Sequence, residues 1–260
     1  MKKRGQLTIF IIVGILLVAS VSLFFLSRAG FIPQLLGGKP ETSANVFLDS
    51  CLEEEVDEVI ELILKHGGYT EGPFYTSFFF EGDGEPTNIT YLCYNQNYYS
   101  PCVNQAPALF QTVKNEIKSY LSPSVRNCFD EMVLNFEGQG FDVSPKYTGF
   151  DVEFAPNRVT IQTDSEVTLT KSGESSTQKN FRITVSTRLY ELLNVVQEII
   201  NKETFTCDFD HRGYQLFYPQ FEIDKIQIAA DSSDIYRIKY SGGNEEFLFA
   251  VRGCVIPPGL

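Results

Sequence analysis

The chain has 260 residues, with 33 acidic against 21 basic side chains and a formal charge of −12. Setting aside Lys2, Lys3 and Arg4 leaves 18 cations and a charge of −15, which makes nucleic acid and anionic lipid poor partners for the remainder. The length allows one sizeable domain, or two small ones sharing a core, after an N-terminal segment.

From Leu7 to Leu26 there are twenty residues without a charge. A helix of that length covers about 30 Å, the thickness of a bilayer's hydrocarbon core. The hydroxyls of Thr8, Ser20 and Ser22 can bond back to helical carbonyls. A cleavable secretory apolar segment is shorter, about 7–15 residues, and a buried core helix seldom runs so long without a polar face. Three cations precede the run and only Arg28 follows closely. The positive-inside rule therefore leaves the N-terminus in the cytoplasm and residues 27–260 outside. The expected protein sits in the cell membrane by a single pass, touching lipid through residues 7–26. Residues 27–44, "SRAGFIPQLLGGKPETSA", read as a linker.

A helix follows, with Leu48, Leu52, Val56, Val59 and Ile63 on one stripe. Asp49, Glu53, Glu54 and Glu55 crowd its first half, and Lys65-His66 close it before Gly67-Gly68, in keeping with the helix dipole and a glycine stop. Phe78-Phe79-Phe80 and Ile89–Tyr94 read as a hairpin around "EGDGEPTN". Pro107 opens a second helix carrying Phe110, Val113, Ile117 and Tyr120, which Ser122-Pro123 is expected to break. A third helix carries Val125, Cys128, Phe129, Met132 and Phe136, and ends at "EGQG".

After Phe141 the period changes from 3.6 to 2. Short strands are expected at Asp151–Phe154, Arg158–Thr163, Glu166–Leu169 and Phe181–Thr187, with "KSGESSTQ" as a polar hairpin tip. "STRLYELLNVVQEIINK" is strongly helical in pattern, and Ile223–Ala230, Ile235–Tyr240 and Phe247–Val251 read as a three-strand meander. Helices in blocks and strands in hairpins argue for an α+β fold. The expected organisation is an anchor over 1–26, the linker over 27–44, a helical part with the aromatic hairpin over 45–140, and an α+β part over 141–260.

All six cysteines follow the apolar run, and an even number on the exported side reads as a disulfide framework. The preferred pairing is Cys93–Cys102 around "CYNQNYYSPC", Cys51–Cys128 between two helix heads, and Cys207–Cys254 beside strands; buried free thiols are the alternative. No C-x-x-C supports a zinc ribbon or a thioredoxin-like site.

No nucleophile elbow, zinc-protease motif or phosphate loop is present, and no cofactor is expected. His66 sits where a helix end favours a cation. In "CDFDHRG", an extended backbone would put Asp208 and Asp210 on one face and His211 on the other; a metal site is one reading and a solvated turn the other. Glu81, Asp83 and Glu85 could offer oxygens to calcium, but a glycine-rich turn explains them as well. Asn88-Ile89-Thr90 is the one glycosylation sequon. The strongest candidate surface is Tyr91, Tyr94, Tyr98 and Tyr99, interleaved with Asn and Gln in a bridged loop, the chemistry of adaptable binding surfaces. Alternatively the tyrosines pack on the domain while the amides satisfy the loop backbone.

Lys2-Lys3-Arg4-Gly5-Gln6 before an apolar helix resembles the class III signal peptide of archaeal type IV pilins and archaellins. The resemblance implies cleavage between Gly5 and Gln6, with the apolar helix kept as anchor or filament spine. Pilins of that family place Glu, on which assembly leans, at the fifth position after the cut; here that position is Phe10. The whole chain also resembles a group of uncharacterised archaeal exported proteins, through "RGQLTIFI", the "C-[LF]-x-E" helix ending in "GGY" and the "F-x-F-A" strand at Phe247–Ala250. The leading expectation is a membrane-anchored extracytoplasmic structural or interaction protein, not an enzyme, meeting protein or glycan at the cell surface. A pilin-like filament subunit and an exported carboxylate-dependent hydrolase are the alternatives.

Overall fold

The computed structural model describes residues 43–80 and 84–257. The expected membrane helix over 7–26, the Gly5-Gln6 processing site, Phe10 and nearly all of the linker lie outside the described residues, as do Glu81 and Asp83. Among the described residues no helix is long and apolar enough to cross a membrane. Residues 44–260 form one compact unit of mixed α+β structure.

Helix α1 (Ala44–Lys65) buries the expected stripe, from Leu48 to Ile63. It ends because Gly67 takes the left-handed conformation, at φ +67°, and the Gly68 N–H reaches back to the Ile63 carbonyl at 2.8 Å. A side chain at Gly67 would also meet Thr90 Cβ at 3.2 Å and the Leu248 carbonyl at 3.3 Å, so this turn presses α1 onto the sheet described below.

The second and third expected helices are one element, α2 (Leu109–Gly138), which runs through Pro123. Proline removes a helix hydrogen bond and disfavours the interior by about 3 kcal/mol. Here Pro123 and Ser119, whose carbonyl loses its partner, both face solvent, and the Ser122 hydroxyl donates to the Lys118 carbonyl at 2.9 Å. Meanwhile Ile117, Leu121, Val125 and Phe129 continue one buried stripe across the site. Packing along that stripe outweighs the local rule. Cys51 is bridged to Cys128, and Thr70 beyond the end of α1 bonds Glu116, so α1 and α2 run antiparallel.

The larger sheet has the order β1 (Tyr75–Phe78), β2 (Thr87–Tyr94), β10 (Glu246–Arg252), β9 (Asp234–Tyr240) and β8 (Phe221–Gln227), with β3 (Val103–Asn104) on the C-terminal end of β2. The aromatic hairpin and the final meander are therefore one sheet. They join through a parallel pairing of β10 with β2, the single departure from the antiparallel pattern among the described strands. Phe247, Phe249 and Val251 face the helices in the main core, while Leu248 and Ala250 face a second cluster with Ile89, Tyr91 and Ile235. Central β10 is thus buried on both faces.

The smaller sheet has the order β4 (Asp142–Ala155), β5 (Arg158–Lys171) and β6 (Glu174–Lys179), with β7 (Arg182–Val185) also on β5. The expected break at Thr163–Glu166 does not occur. Thr163 and Ser165 point inward, but their hydroxyls are 2.6 Å apart and Thr163 accepts the Phe181 N–H at 3.0 Å, so the buried polar groups are satisfied and the strand continues. "ESSTQ" is likewise a strand and not a loop; the turn is only Ser172-Gly173, at φ +55° and +86°, a hairpin geometry that suits glycine. Helix α3 (Leu189–Thr206) packs its apolar face into the core, and a short helix α4 (His211–Phe217) follows it.

All six cysteines are paired as Cys51–Cys128, Cys93–Cys102 and Cys207–Cys254.

Candidate functional site

The tyrosine loop grows out of the end of β2. Cys93–Cys102 closes it, and backbone bonds fasten it to the end of β10 and the irregular segment after it: Asn95 N–H to Arg252 O at 2.8 Å, Tyr99 N–H to Val255 O at 3.0 Å and Cys254 N–H to Ser100 O at 2.7 Å. The amides serve the loop's own backbone. Asn95 Nδ2 donates to the Pro101 carbonyl at 2.7 Å while its Oδ1 accepts the Asn97 N–H at 2.9 Å.

The four tyrosines divide. Tyr91 is buried, and its hydroxyl bonds Asp231 and Ser233, each at 3.0 Å. Tyr94 is half-buried, with its ring 5.1 Å from Tyr91 and 4.7 Å from Phe74. Tyr98 and Tyr99 are exposed, at 47% and 60%. Period-2 alternation does not extend past Tyr94 because β2 ends there, and Tyr99 takes φ +56°, which turns the chain.

The group organising this region is Arg252, which the sequence reading passed over. It is buried, donates to the Asp231 and Asn95 carbonyls, and lies over the rings of Tyr94 and Tyr98 at 5.8 and 5.9 Å. Burial pushes the Asp231 carboxyl up, but hydrogen bonds from Ser233 and Tyr91, with the Arg252 charge, hold it below the usual range. A lone cation at the end of an otherwise apolar strand, "FLFAVR", was the available signal.

The second candidate region contains Asp208 and Asp210, and here the extended backbone expected over 207–211 is corrected. Cys207 caps α3 at φ +60°, and Asp210 is the N-cap of α4, accepting the Gly213 N–H at 2.9 Å. A "D-x-x-G" cap was readable in "DHRG". Asp208 binds Lys225 at 2.8 Å, and that ammonium also meets Glu203 at 3.1 Å and Asp234 at 3.4 Å. Glu203 is 2% exposed and accepts a short hydrogen bond from the fully buried Tyr236 hydroxyl. The Lys225 hydrogen bond holds Asp208 below the usual carboxylate range, and burial pushes Asp234 up. Burial works against the Lys225 charge, yet the surrounding carboxylates raise its pKa. Strand parity could have found Lys225, since it shares a face with inward-pointing Ile223.

His66 Nδ1 lies 2.9 Å from the Thr70 carbonyl and donates to it, a helix-end role. His211 is the first residue of α4. Glu85 and Asn88 are exposed, and Asn88 accepts a hydrogen bond from Ser77 at 2.7 Å. Among the described residues no group of three His, Cys, Asp or Glu side chains is arranged to hold a metal ion. No family model, curated protein or solved structure matches the chain.

Proposed function

We propose that this is a membrane-anchored extracytoplasmic interaction protein that meets its partner through the exposed end of the tyrosine loop. The observation that carries the reading is the use of every cysteine in a bridge, three within one unit of 217 residues, Ala44–Leu260. Such a framework persists in oxidising compartments and is rare in the cytosol. The apolar run before it supplies the anchor. Tyr98 and Tyr99 add amphipathic area on a loop already fixed by a disulfide and three backbone bonds, which lowers the entropy lost on binding.

Replacing Tyr98 and Tyr99 together by Ala should abolish cross-linking of a surface partner and leave stability within about 0.5 kcal/mol. Tyr91→Phe, which takes one hydroxyl donor from Asp231 and leaves it bonded to Ser233, should instead cost about 1 kcal/mol in urea unfolding. A large stability loss in the Tyr98/Tyr99 variant would make those rings part of the core.

A pilin-like subunit is the second reading, favoured by the Gly5-Gln6 junction. Intact mass of membrane-extracted protein separates the two. A chain beginning at Gln6 supports class III processing, one beginning at Met1 sinks the pilin reading, and a soluble chain with alkylatable thiols sinks both.

A further inference from the structure

A groove of about 590 Å³ lies between the outer face of α3 and helix α4, away from the tyrosine loop's own contacts, and its volume is in the range of ligand pockets. Three of its rings stand in succession. Phe209 and Tyr214 have centroids 5.2 Å apart, and Tyr214 and Tyr218 have centroids 4.5 Å apart. Phe217 lines the same groove at 83% exposure, and Leu216 beside it is equally exposed. Large apolar side chains this bare need an explanation beyond packing.

The polar lining is mixed. Burial, and then the nearby Glu198 carboxylate, push the Tyr214 hydroxyl pKa up, and Asp208, 73% exposed, keeps lone pairs free beyond its bond to Lys225. Lys202 adds a donor. We propose that this groove binds an uncharged oligosaccharide. A sugar ring has apolar C–H faces, which lie against aromatic rings, and a rim of hydroxyls that both donate and accept. The exposed rings of Phe217 and Tyr218 take the faces, with buried Phe209 backing Tyr214 from below, the carboxylates accept hydrogen bonds from the hydroxyls, and Lys202 donates. Glu198, Asp208 and Asp210 repel a polyanion, and Lys202, with Lys225 behind Asp208, opposes a cation. A bilayer surface would have to desolvate the same three carboxylates. Because Lys225 holds Asp208 ionised, that carboxylate suits accepting a hydroxyl proton in a hydrogen bond and not protonating a leaving group.

The site is separate from the surface at Tyr98 and Tyr99 and is tested separately. The full chain in phosphatidylcholine nanodiscs is titrated with cellopentaose, mannopentaose and N-acetylchitopentaose, followed by calorimetry and by tyrosine fluorescence, which no Trp obscures. At least one sugar should saturate the protein at millimolar concentration. Tyr218→Ala and Phe217→Ala should each weaken binding about tenfold with an unchanged melting temperature, and Tyr218→Phe, which keeps the ring, should stay close to wild type. The proposal is overturned if none of the three sugars binds, or if both Ala variants bind as well as wild type. It is also overturned if an octalysine peptide binds and the sugars do not, which would indicate a basic protein partner, or if new reducing ends appear, which would make the groove hydrolytic. Membrane residence is read from fractionation, so it and sugar binding can fail independently.

Discussion

Lys225→Met is expected to lower the unfolding free energy by about 3–5 kcal/mol, a large loss for a substitution of similar volume. Lys225 is the cation shared by Glu203, Asp208 and Asp234, and only 15% of its side chain is exposed. Without it Glu203, 3% exposed along its side chain, is a buried carboxylate left with the Tyr236 hydroxyl and facing Asp234. Most of the loss is the cost of that stranded charge. Adding Glu203→Gln to Lys225→Met should therefore restore part of the stability, so that the double variant is more stable than Lys225→Met alone. Urea unfolding of the four proteins closes the cycle; a double variant less stable than Lys225→Met would show that the pair acts through shape and not charge.

The pH dependence has a definite sign. Asp208 and Asp231 are held below their ordinary value of 3.8, so the stability they add is complete above that value and is lost as pH falls through their lower folded values. Lys225 is raised above 10.5, so its contribution is complete below that value and is lost only in more alkaline solution. Asp234, raised by burial, works the other way and costs stability as pH rises through its folded value. In Lys225→Met that last effect grows, and its deficit against wild type should narrow as pH is lowered from neutrality. A deficit that stays constant between neutral pH and pH 5 would contradict the account.

The second large effect is expected from Cys51→Ala with Cys128→Ala. This bridge spans 77 residues, and chain entropy assigns such a loop about 4–5 kcal/mol, against about 2.5 kcal/mol for the nine-residue separation of Cys93–Cys102. The ordering of the two losses is the discriminating result. If removing Cys93–Cys102 costs more, that bridge does more than restrict the unfolded chain and is holding the loop's contacts to Arg252 and Val255 in place.

Cys51 was paired with Cys128 as two expected helix heads, and the pair forms although Cys128 lies well inside α2; a nine-residue separation left little choice for Cys93. The stripe of α1, the α3 pattern and the final meander were equally plain, since each is a local periodicity. Two errors share one cause. Pro123 and the polar "TDSE" of β5 are locally unfavourable, and both are carried by contacts distant in sequence: the buried stripe of α2 in one case, the Phe181 N–H in the other. The parallel β2–β10 pairing left no local trace at all. At the candidate sites, residue type pointed to the tyrosines, but which rings face inward depends on where β2 ends. Tyr214, Phe217 and Tyr218 drew no notice because "YQLFYP" is too short for a period, and their exposure exists only once α4 has been set against α3.

Strand β10 has a consequence for synthesis. Among the described residues it is the last strand in sequence and the middle of the larger sheet, between β2 and β9. A chain threaded N-terminus first can form α1, α2 and the smaller sheet early, yet β2 and β9 keep open edges until Glu246–Arg252 arrives. Cys207 likewise waits for Cys254. A ribosome that stalls short of residue 246 therefore releases a chain with two unsatisfied strand edges and an unpaired thiol, the features that surveillance proteases and aggregation both act on. The architecture makes synthesis through Arg252 a condition of closing the larger sheet, so that copies truncated before it are marked by their own unfinished sheet.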